Sequence, residues 1–288
     1  MRQRYFWVVG GDQRQAALAA ALTEDGHRVA TWCLDKAELP QSVERSESLE
    51  GIDRADCVVL PLPVRGEGDA LNAPLCPQTQ LLDDLFARLR PQQYLCGGRA
   101  DDRAFSLAAR HGLTVHDYFT REELAVANAV PTAEGAVQIA LEEMGITLHR
   151  CRALVLGYGR VGQLTAHRLA ALGARVTVCA RRYDALAWAE AYGHDTLRLG
   201  ELSGGLLGFD LVVNTVPSRV LSRELLVQLK KGCLVIDLAS KPGGVDFQGA
   251  AELGVRCVWA LSLPGKVAPV SAGAAIRDTI YNMLREEN

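Results

Sequence analysis

Six residues near the middle of the chain, Gly157-Tyr158-Gly159-Arg160-Val161-Gly162, have the glycine spacing with which a polypeptide can hold a pyrophosphate. The first glycine permits a tight turn. The second lets backbone approach the phosphates, and the third lets the following helix pack closely on its strand. The N-terminus of that helix then turns its unpaired N–H groups toward the anion. With 27 glycines in the chain the spacing alone is a weak signal. Its context strengthens it, because apolar Ala153-Leu154-Val155-Leu156 precedes the turn and residues 163–172 read as a helix.

The end of the next strand decides which dinucleotide fits. An acid about 20 residues beyond the last glycine would accept from a ribose 2′-hydroxyl. Here Arg181 stands 19 residues after Gly162, Arg182 follows it, and residues 176–182 contain no acid. Two guanidiniums suit a 2′-phosphate, so the expected cofactor is NADP rather than NAD. Further on, three polar turns follow apolar runs: Asn214-Thr215-Val216-Pro217-Ser218, Asp237-Leu238-Ala239-Ser240-Lys241-Pro242-Gly243-Gly244 and Leu263-Pro264-Gly265-Lys266-Val267-Ala268-Pro269. Turns at the carboxyl ends of parallel strands are where open α/β sheets bind ligands. In the first half, Gly10-Gly11-Asp12-Gln13-Arg14-Gln15 lacks the third glycine, so no second dinucleotide is expected there. A glycine turn with Arg14 can still take a carboxylate, whereas Asp12 repels an anion and suits a helix cap.

These residues need a scaffold, and the hydrophobic pattern supplies one. Short β-branched runs alternate with helical stretches, the pattern of parallel α/β sheets. In the first half, strands are expected at residues 5–9, 28–33, 57–60 and 94–96, a helix at 13–24, and a loop over the proline-rich residues 61–77. In the second half, five strands begin at residues 153, 175, 211, 234 and 255. The expected fold is two Rossmann-like doubly wound parallel-sheet domains joined by helices. Residues 1–130 form the first, rejoined by a terminal helix over 271–288; residues 131–150 form a linking helix; residues 151–270 form the cofactor domain. Thr120-Arg121-Glu122-Glu123 has cap-box spacing. Pro131 is expected to end that helix and start another over 136–144, as a hinge.

Composition removes other classes. With 31 Lys+Arg against 34 Asp+Glu the net charge is −3, which leaves no electrostatic footprint for nucleic acid. No run of about 18 apolar residues suggests a membrane span, and the start is strand-like, so a cytoplasmic location is expected. The eight cysteines are never closer than 19 residues, so no metal site is expected and free core thiols are. Of six histidines none lies beyond His194, itself expected at the surface, which disfavours hydroxy-acid dehydrogenases with a late catalytic histidine.

Taken together, Gly10-Gly11-Asp12, Arg14-Gln15, Pro131-Thr132, Glu134-Gly135, the glycine turn, Asn214-Thr215 with Pro217-Ser218, Ala239-Ser240-Lys241-Pro242-Gly243-Gly244 and Leu263-Pro264-Gly265 with Ala268-Pro269 resemble the dipicolinate synthase A-subunit family of endospore-forming bacteria. The resemblance runs over nearly the whole chain. Two departures are Ser262, where glycine is expected, and Lys241, where arginine can stand. The resemblance implies NADP-linked oxidation of a dihydrodipicolinate-type, lysine-pathway heterocycle to pyridine-2,6-dicarboxylate during sporulation. It also implies a partner, a flavoprotein-like B subunit, and a homo-oligomer is expected. Lys241 and Lys266 would clamp carboxylates, with Arg14 reaching from the first lobe. Thr132 and Ser218 would offer hydroxyls, Asn214 would border the nicotinamide, and Asp237 is the candidate base. The alternatives are a two-lobed amino- or imino-acid dehydrogenase of the alanine dehydrogenase type and a non-catalytic NADP-sensing subunit.

Overall fold

A computed structural model describes residues 2–287 and divides the chain into two compact units. One comprises residues up to Asn128 with those from Ala268 onward; the other comprises Ala129–Val267. In the first unit, β1 (Tyr5–Val9), β2 (Arg28–Trp32), β3 (Glu44–Arg45), β4 (Cys57–Val59), β5 (Tyr94–Gly97) and β6 (Val115–Asp117) pair in the order β3-β2-β1-β4-β5-β6. In the second, β7 (Arg152–Leu156), β8 (Arg175–Ala180), β9 (Asp195–Arg198), β10 (Leu211–Asn214), β11 (Leu234–Asp237) and β12 (Arg256–Trp259) pair in the order β12-β11-β10-β7-β8-β9. Read from opposite ends, the two orders are the same. Strand order therefore reverses between β1 and β4, and again between β7 and β10, the places where such sheets leave a crevice.

Continuous apolar runs form the central strands because both sheet faces are covered. Trp7 and Val9 of β1 pack on one face with Leu60, Leu82, Phe86 and Leu107, while Phe6 and Val8 face Leu18, Leu22, Ile276 and Ile280. The second sheet likewise divides β10 between Val213, with Ala166 and Leu169, and Val212, with Leu206 and Leu226. Six of the eight cysteines are buried and all are free thiols.

Three expectations change. The second sheet has six strands, because β9 is too short and polar to stand out; β3 and β6 escape detection for the same reason. Pro131 does not break its helix: Glu122–Glu143 is continuous, with Pro131 inside it. The ring removes one N–H donor, but Ala129, Ala133, Ala136 and Ala140 recur on a buried face, and that packing outweighs one lost hydrogen bond. By length and composition this helix could cross a bilayer. Its alanine face is buried in protein, and Glu134 near its middle pairs with Arg168 at 3.2 Å. The third change is His194, which is buried beside the Tyr158 ring, and burial holds its pKa below the usual histidine range.

The closing helix Pro269–Glu286 starts on proline, which has no N–H to leave unpaired. It packs against the helix Gln13–Glu24 through Gly273, where an added Cβ would lie 2.7 Å from the Arg14 carbonyl oxygen and 2.8 Å from the Leu18 nitrogen. Alanine is the better helix former, yet backbone is the obstacle here. We expect Gly273→Ala to lower the unfolding free energy by about 1–2 kcal/mol, read from the denaturant midpoint. An unchanged or raised midpoint would show that the two helices can separate at little cost.

Candidate functional site

The glycine turn sits between β7 and the helix Arg160–Ala171, and each glycine has a distinct physical reason to be there. Gly157 has φ +91°, a left-handed conformation, and an added Cβ would meet the Thr215 hydroxyl at 2.4 Å. At Gly162 a Cβ would lie 2.2 Å from the Gly157 carbonyl oxygen, so strand and helix touch there. At Gly159 a Cβ would meet nothing within 4 Å. Gly159 is thus required neither by its φ nor by the protein's own packing, and the space above it suits a phosphate group. Arg160, exposed, is the first residue of the helix; Tyr158 is buried and its carbonyl accepts from Gln163 Nε2 at 3.2 Å; Val161 is half-buried. The residues present therefore fit the pyrophosphate of a dinucleotide.

The turn after β10 completes this crevice. Thr215 donates its hydroxyl to the Leu156 carbonyl at 2.8 Å, and its own N–H bonds the same oxygen. Val216 lies against Gly157. Asn214 is fully buried: its amide nitrogen donates to Asp237 Oδ1 at 2.8 Å, and its Oδ1 accepts from the Val216 N–H at 3.1 Å. It therefore shapes the turn rather than facing a ligand.

Asp237, the candidate base, is also fully buried. Besides Asn214, Oδ1 accepts from the Ala239 N–H at 3.0 Å and Oδ2 from the Gly244 N–H at 2.8 Å. Three donors surround the carboxylate and neither oxygen is open to a reacting proton, so the expectation of a base is corrected to that of a loop anchor. The loop it anchors carries Lys241, exposed at its crest, and is tied on both sides. Val220 and Leu221 donate to the Gly244 carbonyl, and Trp259 Nε1 donates to the Ala239 carbonyl at 3.0 Å. Ser218 is exposed in the adjoining turn.

After β12 the chain turns through Ser262 (φ +60°) into the short helix Leu263–Val267, which carries the exposed Lys266. The left-handed φ accounts for glycine being expected at Ser262. Leu263 and Val267 pack on Gly135 of the long helix, on which Thr132 is half-buried. Since β11 and β12 are neighbours, the loops bearing Lys241 and Lys266 leave adjacent strands.

Two expected cations are already engaged. Arg14, in the first unit, is held by both oxygens of Asp12, at 2.9 and 2.8 Å, and donates to the Leu62 carbonyl at 2.8 Å. It is not free to clamp a carboxylate. Asp12 Oδ1 also accepts from the Arg14 N–H, the cap that its position suggested. Arg182 donates to both oxygens of Asp184, while Arg181 is exposed and forms no ion pair among the described residues.

Comparison with known proteins sets this geometry in context. Residues 5–119 match the family model for the N-terminal domain of the dipicolinate synthase A subunit, and residues 124–252 match alanine dehydrogenase/PNT, C-terminal domain. The dipicolinate synthase A subunit of Bacillus subtilis (strain 168) is 30% identical over 97% of this chain and 95% of its own. The crystal structure of the dipicolinate synthase A subunit from Bacillus halodurans superposes with a TM-score of 0.89 at 28% identity, covering 98% of this chain and 97% of that one. A solved L-alanine dehydrogenase shares the fold, with a TM-score of 0.70 at 18% identity over 97% and 88% of the two chains.

Two substitutions test the site. Gly162→Ala is expected to lower the thermal midpoint by several degrees and abolish dinucleotide binding, because backbone blocks the new methyl. Gly159→Ala should leave the midpoint unchanged and still weaken binding about tenfold or more; equal midpoint losses would refute the reserved space. For the anchor, Asp237→Asn places an amide N–H against surrounding donors. We expect about 2–3 kcal/mol of lost stability by chemical denaturation.

Proposed function

The chain belongs to the dipicolinate synthase A-subunit family, whose fold is that of nicotinamide-dependent dehydrogenases, and from that premise we propose that it oxidises a dihydrodipicolinate-type ring to dipicolinate with NADP as hydride acceptor. Loss of one hydride and one proton converts the dihydro ring to a pyridine, and aromatisation supplies driving force. A bound oxidised nicotinamide would supply the hydride-accepting chemistry. The chain's own work is then to hold the ring in position.

The observation that carries the reading is the pair of exposed lysines on adjacent loops. Lys241 follows β11 and Lys266 follows β12, and neither forms an ion pair among the described residues. Parallel neighbours lie about 4.8 Å apart, so two ammonium groups with flexible stems suit a ring carrying two carboxylates. Ser218 and Thr132 offer hydroxyls on the adjoining turn and on the long helix. Gly157–Gly162 and the helix after it would hold the pyrophosphate, and Arg181 would meet the 2′-phosphate. Asp237 is fully buried and held by three donors, so in this reading the ring proton passes to water.

The same reading makes the protein a cytoplasmic sporulation enzyme that works as a homo-oligomer with a flavoprotein-like second subunit. We expect the reduced-nicotinamide absorbance band to grow when NADP and freshly prepared lysine-pathway substrate are mixed with the protein, alone or with that subunit. Lys241→Ala and Lys266→Ala should each raise KM for the heterocycle about tenfold or more, with smaller changes in kcat. Unchanged KM in both variants would refute the clamp. Turnover of alanine or pyruvate alone would replace the reading by an alanine dehydrogenase-like one, and cofactor binding without turnover in any mixture would leave a sensing role.

A further inference from the structure

We propose that Arg198, at the end of edge strand β9, is the second cation for the cofactor's 2′-phosphate beside Arg181, and that Tyr183 is the positioning residue that holds it there. The inference rests on the NADP reading above and names the residues that decide it.

Three observations converge. First, β8 and β9 run parallel with Ala180 opposite Arg198. The end of β9 therefore lies one strand spacing, about 4.8 Å, from the point where β8 gives way to Arg181. Second, the Arg198 guanidinium carbon lies 4.6 Å from the centroid of the Tyr183 ring, and Tyr183 opens the helix Tyr183–Ala191 that follows the β8 turn. Edge strand, turn and helix thus bring a cation over the place where β8 ends. Third, Arg182, the cation expected beside Arg181, is bound by both oxygens of Asp184 two residues on.

The charges nearby favour an anion. Arg181 and Arg198 are exposed and form no ion pair among the described residues, while Asp184 is neutralised by Arg182. The other acids close in sequence are Glu201, on the turn Leu199–Glu201, and Asp195, which opens β9 at the opposite end from Arg198. At the carboxyl end of β9 itself, the guanidiniums of Arg181, Arg182 and Arg198 stand against the carboxylates of Asp184 and Glu201, which leaves that end net positive. A phosphate monoester is close to doubly charged at neutral pH and can receive two planar forks at once. A bare 2′-hydroxyl needs an acceptor instead, and residues 176–182 provide no acid. Resting the guanidinium on an aromatic face restrains a long side chain before the ligand arrives, which reduces the entropy lost on binding.

The test is calorimetric titration of the full chain with NADP, NAD, 2′,5′-ADP and 5′-AMP, with the thermal midpoint of every variant recorded. Wild type should bind 2′,5′-ADP at least about tenfold tighter than 5′-AMP. Arg198→Ala should weaken NADP and 2′,5′-ADP about tenfold and leave NAD and 5′-AMP within about twofold. Arg198→Lys should recover part of the loss, since it keeps charge without the fork. Tyr183→Phe should match wild type and Tyr183→Ala should fall below it, as expected of a ring that positions. Arg182→Ala should cost less than Arg198→Ala; the reverse ranking overturns the assignment, as does an equal loss for all four ligands in Arg198→Ala. A wild type with no preference for the 2′-phosphate overturns the NADP reading itself, a separate result visible before any variant is made.

Discussion

Three N–H groups meet at the buried carboxylate of Asp237, and the ligand-facing end of the second sheet is arranged around that meeting. Burying a carboxylate is costly unless its oxygens are satisfied, so the Asn214 amide and the Ala239 and Gly244 N–H groups must all stay in place. Each donor belongs to a different piece of chain: the end of β10, the start of the Lys241 loop and its close. The Asp237 carbonyl also accepts from Ala260, just beyond β12. The carboxylate thereby ties the ends of β10 and β11 to the Lys241 loop, and the backbone of the same residue ties in the chain after β12. The lysines those ends carry can move at their tips while their backbones cannot, which is the division of labour a binding site requires.

The same strand order occurs twice in this chain, yet the two glycine turns have become different objects. In the second unit the space above Gly159 is open. In the first, the residue at the same N-cap position is Asp12, which puts a side chain where Gly159 has none. The helix N-terminus there already carries an anion, because Asp12 caps it and is itself paired with Arg14. A phosphate would meet a filled space and a negative charge. Topology is thus shared while ligand capacity is not, and the difference comes down to the few side chains that point into the turn.

How much of this could be read from sequence follows from how local each feature is. The central strands are legible because burial on both faces demands an unbroken apolar run, and the helix Gln13–Glu24 because alanine and leucine, strong helix formers, fill residues 16–22. The edge strands β3, β6 and β9 are not, since edges are short and partly solvated and need no apolar signature. Pro131 misleads because a local rule is applied where buried alanines decide. Asp237 and Asn214 stand out as strand-end polar residues, but their roles depend on donors that converge only in three dimensions. His194 is misplaced for a related reason: its burial comes from packing beside Tyr158, 36 residues away in sequence. Arg182 is the exception, for its partner Asp184 lies two residues away and the pairing is open to inspection.

A chain with net charge −3 can still build anion sites, because screening confines each charge to its surroundings. At physiological salt a charge is felt over about 8 Å, so the sum over the molecule matters less than which cations have acids within reach. Arg14 has Asp12, Arg168 has Glu134 and Arg182 has Asp184, and each pair is locally neutral. Lys241, Lys266, Arg181 and Arg198 have no such partner among the described residues. All four lie at or just beyond carboxyl ends of strands in the second sheet, two after β11 and β12 and two at β8 and β9. Other cations, Lys36 and Lys231 among them, also form no ion pair among the described residues, so what sets these four apart is their place along the edge where the fold leaves its crevice.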